Sequence, residues 1–213
     1  MRVPRTFVFV DLTGFTNYTA ACGDDAAGAI LQIFRNIIRE VASNRGVRIA
    51  KWLGDGCMMV SVDQELGIAA ALDLEAKAVA ACAPLSVRVG VATGYALLFE
   101  GDDYIGSAVN LASRLCDSAE PHEILAGVEL GPFVPSWAHA EPIIPVAIRG
   151  FAHRVPVMRL QRRVDGDLVL DPICGMEIPT DAVGATRPGP EGGDVGFCAE
   201  SCALAWDEKT PLA

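Results

Sequence analysis

The sequence has no long apolar run, no excess of basic residues and no recognisable secretion signal. Its apolar stretches, such as residues 68–72, are far too short to cross a bilayer. The chain begins MRVPRTFVFVD, without the apolar core or cleavage site of a signal peptide, so we expect a cytoplasmic protein without a membrane segment. The net charge of −10 argues against a nucleic-acid binder, because no basic stripe is available for phosphates.

Histidine is also scarce, and the cysteines are unevenly distributed. The three histidines form no convincing Ser-His-Asp set, so we do not expect an activated serine nucleophile. Seven cysteines make an untidy disulfide framework, because four are scattered in apolar surroundings and three cluster near the end. We therefore expect a reduced protein in which the last three cysteines need a separate explanation.

Strand and helix patterns interleave without the regular rhythm of a doubly wound sheet. This order predicts an α+β fold in which helices pack on a largely antiparallel sheet. We expect Asp24 to cap the first long helix and Gly46 to end it. Strands are predicted at 6–10, 47–53, 57–62, 87–93 and 96–99, and helices at 24–46, 64–82 and 107–118.

The composition changes near residues 161–168, where the chain becomes polar and then rich in Gly, Pro and Cys. We therefore predict a large domain over residues 1–162, a linker at 163–170 and a small cysteine-containing module at 171–213.

Two aspartates are candidates for chemistry because each stands where a strand ends. Asp11 follows an apolar strand and precedes the turn LTGFT, and Asp55 lies in the Gly-Asp-Gly turn of KWLGDG. Two carboxylates on adjacent strands can share a pair of Mg²⁺ ions, and turn amides can receive phosphate oxygens. Each aspartate alone has an ordinary alternative, as a turn or hairpin residue.

A third candidate segment is GDDYIGSAVNLASRL, residues 101–115. Asn110 and Arg114 lie four positions apart in a predicted helix and therefore project from one face. An amide and a guanidinium offered together suit charge on a ribose oxygen and a phosphate. The alternative is an amphipathic helix whose polar residues face water.

Taken in order, FVFVDLTGFT, KWLGDGCMM and GDDYIGSAVNLASRL resemble the signature blocks of the class III adenylate and guanylate cyclase catalytic domain. The resemblance covers about residues 5–160. It implies a ferredoxin-like, palm-type sheet. It also implies conversion of ATP to 3′,5′-cyclic AMP and pyrophosphate in two sites shared across a homodimer.

The resemblance also implies roles for individual residues. Asp11 and Asp55 match the aspartates that bind two Mg²⁺ or Mn²⁺ ions. Lys51 and Asp103 match the pair that reads the adenine edge, where guanylate-specific relatives typically carry Glu and Cys. The match fits the chemistry of the base, because adenine offers an amino donor and a ring acceptor to this pair.

The remaining matches concern ribose and phosphate. Asn110 corresponds to the asparagine that orients the ribose, and Arg114 to the arginine that stabilises phosphate charge in the transition state. Arg149 aligns loosely with a triphosphate-binding lysine. Only eight residues separate Gly94 from Asp103, so the dimerisation arm of many relatives is shortened. The phosphate-embracing turn corresponds to Gly14, Phe15 and Thr16.

The tail segments DPICGM (171–176) and FCAESC (197–202) resemble the YHS domain, a module related to the metal-binding TRASH group. The resemblance implies a site for Zn²⁺ or another soft metal at Cys174, Cys198 and Cys202. The tail has no histidine, so a fourth ligand would be a carboxylate, water or another chain. Alternatively, these cysteines are buried small residues of a mini-domain or reversible thiols.

The leading hypothesis is a homodimeric adenylate cyclase whose tail senses a metal or a redox state. One alternative is a catalytically weak cyclase-like domain that binds nucleotide or a partner and signals by association. Another is a metal-handling accessory protein in which the cyclase-like domain serves for dimerisation. Retention of all six principal positions favours the enzyme, because a degenerate domain usually loses a metal aspartate or the arginine.

Overall fold

The structure, a computed structural model, describes residues 1–100, 103–164, 166–190 and 192–210. Gly101 and Asp102 of the third sequence block, Asp165 of the predicted linker and the last three residues of the predicted tail module lie outside the described residues. The chain forms two compact units. The large unit comprises residues 1–134 and 140–160, and the tail unit comprises 135–139 and 161–213.

An eight-stranded sheet organises the larger part of the chain. Its strand order is β2-β3-β1-β4-β6-β8-β7, with β5 paired to β4. The β4–β6 pair is parallel, whereas β1 runs antiparallel to both β3 and β4. The elements are β1 (Arg2–Thr13), α1 (Phe15–Cys22), α2 (Asp24–Arg45), β2 (Arg48–Leu53), β3 (Gly56–Ser61), α3 (Gln64–Ala81), β4 (Ser86–Phe99), β5 (Asp103–Ile105), α4 (Ser107–Ser118), β6 (Ile124–Gly127), a 3₁₀ turn (Val128–Phe133), β7 (Ala138–Val146) and β8 (Val155–Arg162). The predicted α+β class with a largely antiparallel sheet is confirmed.

Helices cover both faces of the central strands. Successive residues of β1 point to opposite faces. Phe7 packs in a cluster with Ala92 and Ala112, which places α4 on that face. Thr6 faces α3, because a Cβ added to Gly67 of that helix would lie 2.7 Å from Thr6 Cγ2. A strand buried on both faces explains the continuous apolar run in the sequence.

Three local predictions are wrong in detail. β1 continues through Thr13, so Asp11 lies inside the strand and not at its end, because β4 pairs with it as far as Thr13. The N-cap of α2 is Gly23, and Asp24 is the first helical residue, where its charge favours the helix N-terminus without capping it. The strands predicted at 87–93 and 96–99 are one strand, β4, because β1 pairs with it over its whole length. Gly46 does end α2, in the left-handed conformation.

The described residues of the tail unit form two small hairpins and one helix. Its elements are β9 (Leu168–Leu170), β10 (Glu177–Pro179), a 3₁₀ turn (Thr180–Ala182), β11 (Ala185–Pro188), β12 (Asp194–Phe197) and α5 (Glu200–Lys209). β9 pairs with β10 and β11 with β12, so part of the predicted linker is a strand. Buried Trp137 donates its Nε1 hydrogen to the Cys198 carbonyl at 3.2 Å. Among the described residues, no helix is both long and apolar enough to cross a membrane.

Candidate functional site

The two candidate aspartates lie beside each other at the edge of the central strands. Asp11, on β1, is paired with Gly56, the residue that follows Asp55. The approach is close, because a Cβ on Gly56 would lie 3.0 Å from Asp11 Oδ1. Burial, and then the negative charge of Asp11, raise the pKa of Asp55. Hard divalent cations bind carboxylate oxygens, and a bound cation would relieve the repulsion between these two carboxylates.

Arg88 is a site residue that the sequence reasoning missed. It lies opposite Asp11 on β4, and its Nη2 and Nε donate to Asp11 Oδ2 at 2.7 and 3.0 Å. Its Nη1 donates to the Asp117 carbonyl at 3.0 Å. The available signal was a charged residue inside the otherwise apolar strand VRVGV. The guanidinium neutralises part of the carboxylate charge at this edge.

The predicted phosphate turn directly follows β1 and opens helix α1. Gly14 is the N-cap of α1 and has φ 84°, a conformation that glycine adopts without strain. Phe15 and Thr16 are the first helical residues, so their amides belong to the set that lacks intrahelical acceptors. Such amides are suited to phosphate oxygens.

Lys51 and Asp103 are 52 residues apart in sequence and in contact in the structure. Lys51, on β2, donates from Nζ to Asp103 Oδ2 at 3.1 Å, and each side chain is about half exposed. The hydrogen bond from Lys51, supported by the backbone amide of Tyr104, lowers the pKa of Asp103. The pair therefore presents an ionised acceptor and a donor side by side to solvent.

A third group lines a cavity of about 320 Å³ on the large unit. Asn110 and Arg114 of α4 line it together with Arg149, which lies 35 residues beyond Arg114 in the chain. Arg114 Nη1 also donates to Asp117 Oδ2 at 2.9 Å. Asp117 thus contacts both Arg88 and Arg114. Two guanidinium groups and an amide around one cavity suit a phosphate-bearing ligand.

The three tail cysteines meet in one buried cluster of the tail unit. The Sγ atoms of Cys174 and Cys198 are 3.7 Å apart, as are those of Cys198 and Cys202. Asp171, which the sequence reasoning missed, completes a group whose potential ligand atoms all lie within 4.8 Å of one another. Its position three residues before Cys174 in DPICGM was the available signal.

Asp171 also organises the backbone of this cluster. Its Oδ1 accepts hydrogen bonds from the amides of Ile173 and Cys174, at 2.8 and 3.2 Å. Its Oδ2 accepts from the Cys198 amide at 2.9 Å. The fully buried carboxylate therefore joins the two cysteine-bearing segments.

Comparisons with known proteins agree with this architecture. No family model matches the chain. An uncharacterized protein of Mycobacterium tuberculosis is 37% identical over 156 residues, covering 72% of this chain and 39% of that protein. An adenylate cyclase of Streptomyces coelicolor is 34% identical over 118 residues, covering 55% of this chain and 30% of that protein. The chain thus spans well under half the length of these relatives.

The solved structures include the adenylyl cyclase CyaB from P. aeruginosa, with TM-score 0.68 and 26% identity over 78% of this chain and 98% of that one. Guanylate cyclase structures at 18–19% identity share the fold alone. Together, the relatives and the structural neighbours indicate a class III adenylate or guanylate cyclase domain in this chain.

Proposed function

We propose that the large unit is an adenylate cyclase that converts ATP to 3′,5′-cyclic AMP and pyrophosphate. One observation supports this proposal above the others. Residues from three separate sequence blocks come together in the fold as an aspartate pair, a Lys–Asp pair and an Asn–Arg group that lines a cavity. Each group has the chemistry that one part of the nucleotide requires.

The Lys51–Asp103 pair would read the base. Adenine presents an amino donor next to a ring acceptor, and an ionised carboxylate and an ammonium complement these two groups. Guanine presents an acceptor and a donor in the reverse order, so it would meet this pair with like groups facing each other. The Asp103 carboxylate is ionised and therefore an acceptor at neutral pH, and the hydrogen bond from Lys51 lowers its pKa further.

Asn110, Arg114 and Arg149 would hold the ribose and the phosphates in the cavity that they line. The ribose 3′ oxygen attacks the α-phosphorus, and a new O–P bond forms. The bond from that phosphorus to the oxygen bridging to the β-phosphorus breaks, pyrophosphate leaves and the hydroxyl proton passes to solvent. Guanidinium groups would stabilise the charge that develops on the phosphate oxygens.

Asp11 and Asp55 would hold two Mg²⁺ or Mn²⁺ ions, and their adjacent carboxylates fit this role. Such ions, when bound, lower the pKa of the attacking hydroxyl and neutralise triphosphate charge. Arg88 would then turn from Asp11 to the phosphates, since a guanidinium binds phosphate as readily as carboxylate. Gly14, Phe15 and Thr16 would offer backbone amides to the same phosphates.

The active form would be a homodimer. The end of β4 and the short strand β5 expose a line of large apolar side chains: Tyr95, Leu97 and Phe99 on alternate positions of β4, and Ile105 opposite Leu97. Residues at alternate positions share one face, so these four side chains form a continuous apolar patch, the hairpin patch. A second copy of the chain would cover the hairpin patch and bring base-reading residues to the partner's aspartates.

The direct test is an assay of purified protein with ATP or GTP in the presence of Mn²⁺. We expect cyclic AMP from ATP and much less product from GTP. Asp55→Ala should reduce the rate on the order of a hundredfold or more, because the cation site loses a ligand. Asp25→Ala, at an exposed aspartate of α2, is the matched control and should retain the activity. Equal rates for wild type and Asp55→Ala would contradict the proposal.

If no product forms with either nucleotide while the nucleotide still binds, the catalytically weak binding domain becomes the better description. Titration of the wild-type protein with ATP by calorimetry separates this outcome from complete loss of nucleotide binding, which would favour the accessory role.

For the tail unit, we propose a site for Zn²⁺ or another soft metal at Cys174, Cys198 and Cys202. The two 3.7 Å separations support it, because tetrahedral thiolate ligands about 2.3 Å from a zinc ion lie roughly 3.8 Å apart. The proposed domain of residues 171–213 would regulate the cyclase through its metal or thiol redox state. Asp171 would chiefly orient the cysteines, since both of its oxygens already accept amide hydrogens.

Metal analysis of the purified full chain tests this site. Wild type should carry about one equivalent of a thiophilic metal, and Cys198→Ser should lose most of it. Cys22→Ser, at an exposed cysteine outside the cluster, is the control and should keep wild-type content. Equal metal content in wild type and Cys198→Ser would contradict the proposed metal site. Unchanged cyclase activity after the metal is extracted would contradict its regulatory role.

A further inference from the structure

Trp52 lies within the motif that carries two of the proposed site residues, between Lys51 and the turn that holds Asp55. Two arginines of α2 stand against its ring. Arg35 Cζ is 5.0 Å from the ring centroid, and Arg39 Cζ is 5.4 Å from it. Both distances lie within the range of cation–π attraction. Helix α2 therefore contacts strand β2 immediately before the turn.

The two arginines differ in what else they contact. Arg35 Nη2 donates to the carbonyl of Gly54 at 3.2 Å, so this side chain spans from the ring of Trp52 to the turn itself. Arg39 Nη1 instead donates to Asn36 Oδ1 at 3.0 Å, within its own helix. Arg35 Nε is buried and has no hydrogen-bond partner among the described residues, so the hydrogen bond to the turn is made by Nη2.

The turn needs such a support for two reasons. Gly54 is exposed and has φ 70°, and the neighbouring Leu53 is also exposed, so little packing holds the turn from outside. Asp55 also directly precedes Gly56, the residue paired with Asp11, so the two negative charges lie near each other and repel. Arg88 donates two hydrogen bonds to Asp11, whereas it acts on Asp55 through its charge alone, so the side chain of Asp55 has a weaker hold on its surroundings than that of Asp11.

We infer that Arg35, seated on Trp52, is a positioning residue that holds the 54–56 turn so that Asp55 stays beside Asp11 before a divalent cation binds. This inference rests on the proposed function, because it assumes that Asp55 is a cation ligand. Arg35 would act through the turn and not by binding the nucleotide or the cation itself. Because the turn is already ordered, cation binding does not have to supply the free energy for ordering it.

The test compares Arg35→Gln with Arg39→Gln in the full chain. Each variant removes one guanidinium from Trp52, but only the first loses the bond to the turn. Binding of Mn²⁺ is measured directly, from the electron paramagnetic resonance signal of the free ion. We expect the Mn²⁺ concentration for half-saturation to rise by about tenfold in Arg35→Gln, the size of effect that one lost hydrogen bond produces. Arg39→Gln should stay near wild type.

Kinetics should give the same separation. In Arg35→Gln the Mn²⁺ concentration for half-maximal rate should rise, while the KM for ATP at saturating Mn²⁺ should stay close to wild type. A general loss of structure would change both. Arg35→Lys should recover part of the loss, because an ammonium can still stand over the ring and donate to Gly54. If Arg35→Gln does not fold, Arg35→Lys is compared with Arg39→Lys: the first should still need more Mn²⁺ for half-saturation than the second, and equal values would overturn the positioning role.

Asp55→Ala in the same titrations separates the two proposals. If it changes neither Mn²⁺ binding nor activity, the proposed function fails, and this inference fails with it. If Asp55→Ala loses both while Arg35→Gln and Arg39→Gln behave alike, the positioning role alone is overturned.

Discussion

At the scale of single residues, the site is built from side chains that already interact with one another. Lys51 forms an ion pair with Asp103, and Arg88 forms one with Asp11. These ion pairs are partly exposed, so they contribute little to stability, of the order of 0–1 kcal/mol. These ion pairs matter for orientation, because each keeps a charged group in the geometry that a nucleotide or a cation would meet.

The Lys51–Asp103 pair leads to a prediction about base selection. We expect Lys51→Glu combined with Asp103→Cys to shift the ratio of ATP to GTP use toward GTP by at least about tenfold, because the hydrogen-bonding pattern offered to the base changes. The measurement is kcat/KM for both nucleotides.

Arg48→Gln serves as the control for that experiment. Arg48 also lies on β2 and contacts the residue next to Asp103, through Tyr104 Oη at 3.1 Å, but it is not part of the proposed pair. It should leave the ratio unchanged. A double variant with the wild-type ratio would show that base selection lies elsewhere.

At the scale of elements, the position of α4 decides whether Asn110 and Arg114 reach the cavity. The helix lies directly against β4 at Gly90, where an added Cβ would be 2.1 Å from the Ala112 carbonyl oxygen and 2.3 Å from the Cys116 amide nitrogen. Both atoms belong to the backbone and cannot move independently of the helix. Glycine is therefore required here for packing rather than for an unusual backbone angle.

Gly90→Ala should displace α4 from the sheet. We expect a loss of about 1–3 kcal/mol or more in the free energy of unfolding, the usual cost of overpacking. Cyclase activity should fall as Asn110 and Arg114 move. Urea denaturation followed by circular dichroism measures the first effect, and the ATP assay measures the second.

Gly28→Ala provides the matched substitution. Gly28 lies inside α2 with nothing within 4 Å of an added Cβ, so alanine should stabilise the helix by about 0.5–1 kcal/mol. If Gly90→Ala were as stable as Gly28→Ala, the described contact between α4 and β4 would be incorrect.

At the scale of the whole molecule, the two charged residues of the KWLGDG motif, Lys51 and Asp55, belong to different groups of the site. Lys51 belongs with Asp103 and Asp55 belongs with Asp11, although only four positions separate Lys51 from Asp55. In the proposed homodimer, one active site takes its aspartates from one protomer and its base-reading pair from the other. Lys51 and Asp55 of one chain would then serve different ATP molecules.

Mixing two inactive variants tests this arrangement. Lys51→Ala and Asp55→Ala chains, each inactive alone, should recover about one quarter of the wild-type activity when mixed in equal amounts. Random exchange makes half of the dimers mixed, and each mixed dimer has one intact site of two.

Phe99→Glu, in the hairpin patch, should weaken dimerisation and abolish the recovery, as measured by analytical ultracentrifugation and the ATP assay. Absence of recovery from chains shown to exchange would contradict the shared sites.

Local chemistry determined a large part of this protein from the sequence alone. The predicted helix 107–118 has the observed bounds of α4, because a turn before it and periodic apolar residues within it mark a helix locally. The α+β class follows from the order of such segments. The residue types also determined which side chains could bind cations, bases or phosphates, since this depends on their functional groups.

Only the tertiary structure decided which of these residues meet. Arg88 reaches Asp11 across 77 positions, and Arg35 reaches Gly54 from another element. Asp171 joins two cysteine-bearing segments that the sequence separates. Such contacts depend on strand register and on helix placement, which arise from packing between distant segments. The amino-acid sequence therefore determined the available reagents, and the fold determined their partners.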